Sequence, residues 1–252
     1  MPILPAFLLI LALAAVGWFT WRDIGEYAAF KRLTDTRDRQ ARYRRWVLNA
    51  FALFVGGSLA ILAILGDLGC VIHPPKPFFA AMRWIQAHVA PKVGPEFLGG
   101  MVGGAAIAVV LGTVLATLTA RRGAKPKVQA LGDIEPLMPR NGAETIWTGL
   151  LSINAGIGEE LFFRLTLPLL LVLVTGNVIA AFAIAAIVFG LVHVYQGWVG
   201  VLATTFLGAV FTGVYLLAGN LALPMALHAG LDLVGLVVRP TLMRLVARRQ
   251  AA

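Results

Sequence analysis

Apolar runs close to the ~20 residues that a bilayer crossing requires recur along this chain, separated by short polar stretches. They fall at roughly 3–20, 47–69, 97–119, 145–174, 178–195, 199–218 and 221–238. This pattern predicts an all-α, polytopic membrane helical bundle with about seven transmembrane helices, and residues 1–252 read as a single integral membrane domain. One segment fits the pattern poorly. Pro74, Pro75 and Pro77 precede Phe78–Ala90, an apolar stretch interrupted by Arg83, Gln86 and His88. It is too short and too polar for an ordinary span and predicts an interfacial or re-entrant helix. Were it to cross, the count would be eight and the N-terminus would lie inside.

Gly99, Gly100, Gly103 and Gly104 set overlapping GxxxG spacings in the third run, where small residues let another helix approach closely. No strand precedes them and no Lys-Ser/Thr follows, which argues against a phosphate loop. Residues 121–142, with Pro126, Pro136 and Pro139, read as a cytoplasmic linker.

Composition narrows the class further. Hydrophobic residues make up 59% of the chain and charged residues 13%, against about a quarter charged in a typical soluble domain. The net charge of +9 would suit nucleic acid, but its placement points to a membrane instead. Eight Lys and Arg lie between Arg22 and Arg45, five between Arg121 and Arg140, and four between Arg239 and Arg249. With seven spans these stretches share one side, the positive-inside arrangement. The expected partner is the lipid bilayer and not nucleic acid, with the N-terminus outside and the C-terminus cytoplasmic. Met1–Thr20 lacks a basic n-region and reads as a retained first span, not as a cleaved leader. The lone Cys70 cannot form an intrachain disulfide.

Candidate chemistry comes from the charges that should not be in a membrane. Glu159, Glu160, Arg164 and Asp232 lie in apolar runs and together would cost on the order of 10 kcal/mol if left uncompensated. Glu160 and Arg164 are one helical turn apart and can pair, while Glu159 lies about 100° around the helix and can point elsewhere. Phe189 and His193 share a face, as do His228 and Asp232. Each cluster has a structural reading. The Glu160–Arg164 pair can be purely structural, His193 an interfacial histidine, and His228 with Asp232 interhelical glue. Together, three late spans supply the inventory of general acid–base chemistry.

The ordered set EExxxR (Glu159, Glu160, Arg164), FxxxH (Phe189, His193) and HxxxD (His228, Asp232) resembles the CPBP family. That family comprises the CAAX prenyl endopeptidases and their Abi or bacteriocin-processing relatives. The resemblance covers about 143–238 and implies a catalytic helical core there, in a glutamate-dependent intramembrane endopeptidase. By that likeness Glu159 activates a water, His193 helps hold it, His228 and Asp232 stabilise the oxyanion, and Glu160 with Arg164 and Phe189 braces the site. No cofactor or metal is implied. The implied substrate is a membrane protein or lipidated peptide, and the implied location a prokaryotic cytoplasmic (inner) membrane.

One position departs from the prenyl endopeptidases, which carry Asn where this chain has Asp232. An ionised Asp232 would repel an oxyanion, so it serves either protonated or by keeping His228 protonated as the donor. The departure bears on a CAAX-type substrate more than on hydrolysis. Two other classes remain open: an inactive scaffold or immunity-type protein of the same fold, and a proton-coupled transporter, although no repeat relates the two halves. Glu159, His193 and His228 could also offer zinc a His₂Glu set, but the HExxH helix of zinc proteases is absent.

Overall fold

Helix boundaries in this protein follow local capping chemistry. Asp35 accepts from the backbone N–H groups of Arg37 and Asp38 at 2.8 and 3.1 Å, Asn141 from that of Glu144 at 2.9 Å, and Asn177 from that of Ala180 at 3.0 Å. Each thereby satisfies donors that a helix start would otherwise leave orphaned. Gly66 (φ 73°) and Gly219 (φ 68°) end helices in the left-handed conformation, where a side chain would be strained.

The computed structural model describes residues 3–89, 100 and 132–251. They form seven helices and no strand among the described residues. In chain order these are α1 (Ile3–Phe30), α2 (Thr36–Leu65), α3 (Phe79–His88), α4 (142–175), α5 (Val178–Leu191), α6 (Gly197–Ala218) and α7 (222–251). Helices α1, α2, α6 with its preceding turn (Val194–Ala218) and α7 to Leu245 are long and apolar enough to cross a bilayer. The architecture is the helical membrane bundle that the apolar runs predict. The predicted span 97–119 and its glycine motif, apart from Gly100, lie outside the described residues, as does the first half of the 121–142 linker.

The first two helices depart from expectation. The stretch Arg22–Arg45 is not a loop: α1 runs on to Phe30 and α2 begins at Thr36. Aromatic packing extends both helices past their apolar runs. Phe30 lies 5.1 Å from the Tyr43 ring and 4.9 Å from Trp46, centroid to centroid. Arg39, a member of that basic stretch, is fully buried.

Helix α3 is ten residues long, about 15 Å, and cannot cross a bilayer. Gln86 anchors it by donating to the carbonyls of Leu216 and Leu217 at 3.5 and 3.3 Å. Helix α5 has 14 residues, about 21 Å, against a hydrocarbon core of about 30 Å. By itself it is too short to span that core, and a short turn, Val194–Gln196, joins it to α6.

Two prolines shape the helices that carry the site. Pro168 and Pro240 have no N–H to donate one turn back, and each follows a stretch of wide π-turns, Leu161–Thr166 in α4 and Val234–Val238 in α7. The acceptor that Pro240 leaves is the Leu236 carbonyl, and Thr148 of α4 donates to it at 3.1 Å. Close approach fixes the same two helices nearer the site. A Cβ on Gly156 would stand 2.6 Å from Ala229. A Cβ on Gly190 would stand 1.8 Å from the Thr205 hydroxyl, and so sets α5 against α6.

Candidate active site

The contact between α4 and α7 brings Glu160 to His228. The imidazole Nδ1 donates to Glu160 Oε1 at 2.8 Å, with the carboxylate fully buried. The other oxygen, Oε2, lies 3.0 Å from Arg164 Nε, one turn further along α4. That N–H is not aimed at the oxygen, and none of the three guanidinium nitrogens has an aligned hydrogen bond among the described residues. The pair is therefore a Coulombic contact, and aromatic faces supply the rest of its surroundings. The guanidinium carbon sits 4.4 Å from the Phe189 ring centroid and 5.5 Å from that of Phe211, within cation–π range. Phe211 also stacks on His228 at 5.2 Å with planes 20° apart, and Phe189 meets the same imidazole edge-on at 5.9 Å.

Glu159 faces a different way. Its Oε2 lies 3.8 Å from His193 Nε2 and 3.9 Å from His228 Nε2. Both gaps are too long for a direct hydrogen bond and suit a bridging water. His193 stands just past the end of α5, where its Nδ1 is 2.8 Å from the Phe189 carbonyl. A carbonyl only accepts, so Nδ1 carries the proton and, in the neutral ring, the Nε2 lone pair is turned toward Glu159. Asp232 Oδ2 lies 3.8 Å from His228 Nε2, and its side chain remains 36% exposed, so it stands at the wet edge of the group.

Glu159, His193, His228 and Asp232 line one cavity of about 290 Å³, and Glu160, Arg164 and Phe189 stand directly behind or along it. Counting along the runs sets His193 near a span end and Glu159 deeper, yet the fold brings the two side chains to within 3.8 Å of each other. Among the described residues, no group of three His, Cys, Asp or Glu is placed to hold a metal ion.

Several cavity residues carry no motif in the sequence. Asp23 and Tyr27 come from α1, Trp46 from α2 and Phe211 from α6, with Ile134 and Leu137 from the segment before α4. Asp23 alone had an available signal, as an acid set one position after Arg22 at the end of an apolar run. The aromatic residues look like any others in apolar segments. Tyr195 packs between Tyr27 at 5.0 Å and His193 at 5.9 Å, joining α1 to the α5–α6 turn.

Comparison with family models matches residues 141–234 to the family described as type II CAAX prenyl endopeptidase Rce1-like. Comparison with curated proteins and with solved structures gives no match. The matched segment begins at the cap of α4 and ends just past Asp232, so it contains every motif residue of the cavity. Residues 141–234 are thus similar to the Rce1-like family, in agreement with the CPBP resemblance of the motifs they contain.

Proposed function

We propose that the protein is an intramembrane endopeptidase in which Glu159 is the general base. One observation carries the reading. A single carboxylate oxygen faces the Nε2 atoms of two imidazoles, at 3.8 and 3.9 Å, in a cavity enclosed by apolar helices. A water between Glu159 and His193 donates one proton toward the carboxylate and the other toward the His193 lone pair. The carboxylate takes its proton as the water oxygen attacks the scissile carbonyl carbon. The carbonyl becomes an oxyanion facing the Nε2–H of a His228 imidazolium, whose Nδ1–H is held by Glu160. Donors preorganised toward such a charge are usually worth several kcal/mol. Collapse of the intermediate breaks the C–N bond, and the proton on Glu159 passes to the leaving amine. Arg164 and Phe189 position this machinery through Glu160 and His228, and Asp232 steers the His228 Nε2–H toward the cavity.

The family supports a membrane-associated substrate of CAAX type. Asp232 in place of the prenyl endopeptidases' Asn widens the class to membrane or lipidated peptides in general. Residues 143–238 act as the catalytic core of a single membrane domain. The basic stretches orient it with the N-terminus outside a prokaryotic cytoplasmic membrane.

The test is cleavage of a tagged membrane-peptide library by purified protein, wild type beside Glu159→Ala and His193→Ala. Cleavage by wild type, lost on the order of 100-fold or more in both variants while they remain folded, is the expected result. Activity is also expected to persist in chelators. Loss on chelation that zinc restores would replace Glu159 as sole activator with a metal site. Equal product from all three proteins would place the activity elsewhere, and no cleavage across the library would favour a scaffold of the same fold.

A further inference from the structure

The family match begins at residue 141, yet part of the cavity wall lies before it. Asp23 and Tyr27 of α1 and Trp46 of α2 supply that part. Among the described residues, the buried Asp23 Oδ1 has no hydrogen-bond partner and Asp23 makes no ion pair. The nearby arginines are engaged elsewhere, with Glu26 lying 3.4 Å from Arg22 and 3.3 Å from Arg42. Trp46 is 6% exposed, and its indole N–H likewise has no acceptor among the described residues. An unmatched buried acceptor and an unmatched buried donor thus stand on one wall of the cavity that holds Glu159. Such groups are costly until something complementary meets them.

The surroundings indicate what that something is. Among the described residues no Lys or Arg lines the cavity, whereas Asp23, Glu159 and Asp232 do. Tyr27 and Trp46, with ring centroids 6.5 Å apart, line the same cavity as Asp23, and the Tyr27 ring already carries a cation, with Lys31 Nζ 4.8 Å from its centroid. A carboxylate beside aromatic rings is the chemistry that recognises an ammonium or guanidinium group.

We propose that Asp23 and Trp46 form a specificity subsite that takes a lysine or arginine side chain of the membrane substrate close to the scissile bond. Asp23 pairs with the cation, and Trp46 Nε1–H donates to a backbone carbonyl of the same segment. The proposal rests on the protease reading, because it takes this cavity to be where substrate lies.

The experiment uses the full chain in lipid nanodiscs and fluorescent single-span peptides carrying Lys, Gln or Glu at each juxtamembrane position in turn. Binding is read by anisotropy and cleavage separately by gel. Wild type is expected to bind the best Lys peptide about tenfold more tightly than its Glu counterpart. Asp23→Asn levels that series, and Asp23→Lys inverts it. Trp46→Phe weakens all three peptides by about the same severalfold factor and keeps their order. An unchanged preference in Asp23→Asn, a nearly isosteric change, overturns the subsite even if Asp23→Lys fails to fold. Charge-dependent binding that tracks residue 23 without any cleavage sustains the subsite and counts against the protease reading. Cleavage indifferent to residue 23 does the reverse.

Discussion

The protein buries two arginine–glutamate pairs at nearly the same separation and completes them in different ways. Arg39 Nε lies 3.1 Å from Glu144 Oε2, and Arg164 Nε lies 3.0 Å from Glu160 Oε2, with all four side chains at 0–1% exposure. Around the first pair nearly every group is satisfied. Arg39 Nη2 donates to the Tyr43 hydroxyl and to the Pro136 and Met138 carbonyls, at 2.9 to 3.2 Å. Glu144 accepts from the Thr36 hydroxyl and the Arg140 backbone N–H, both at 2.9 Å. Only Arg39 Nη1 is left over. This pair clamps α2, the segment before α4 and the start of α4 together. Around the second pair, by contrast, Arg164 meets aromatic faces instead of acceptors, and Glu160 commits its other oxygen to His228. A satisfied buried pair closes on itself, whereas an under-satisfied one beside a cavity can hold a third group in place. Burial and distance alone would not separate the two.

Three measurements bear on that difference. The largest effect is expected from Arg39→Met, which leaves Glu144 without its cation and two carbonyls without a donor. We expect a loss of about 4 kcal/mol in stability, read by thermal unfolding in detergent. Cleavage per folded molecule should stay within about twofold, and a parallel fall would show that the clamp also reaches the site. Next comes the double change Glu160→Gln with Arg164→Met. Replacing a buried pair by uncharged groups is often nearly neutral for stability, so the melting point should move little. Cleavage should fall about 100-fold, or ~2.7 kcal/mol, because His228 loses its carboxylate. A large drop in stability with activity retained would make the second pair a clamp like the first. The smallest effect is expected from Phe211→Leu, which removes the ring stacked on His228. A loss of ~1 kcal/mol, about fivefold in kcat with KM little changed, would mark Phe211 as a positioning residue. A change in KM alone would assign it to the substrate wall.

The bundle was largely legible because a bilayer demands long apolar helices whatever their partners. That demand predicts α4 to within three residues at its start and the short character of α3. Where packing competes with the apolar pattern, the reading fails. α1 and α2 run beyond their apolar runs because Phe30, Tyr43 and Trp46 pack between them. α5 stops at Leu191, short of the predicted 195. Arg39 looks like one more cytoplasmic charge and is instead fully buried, because its partner Glu144 lies about a hundred residues away.

The sequence alone determined that the chain is a helical membrane protein and which side chains stand one turn apart within a helix: Glu160 with Arg164, Phe189 with His193, His228 with Asp232. Those relations follow from the 3.6-residue period and the cost of charge in lipid. Only the tertiary structure decided which helices meet. The small residues Gly156 and Ala229 let α4 touch α7, and that contact puts Glu160 on His228. The short α5 carries His193 to Glu159, and the first two helices add Asp23 and Trp46 to the same cavity. Contacts between helices depend on which surfaces fit, and side-chain periodicity within one helix holds no record of that fit.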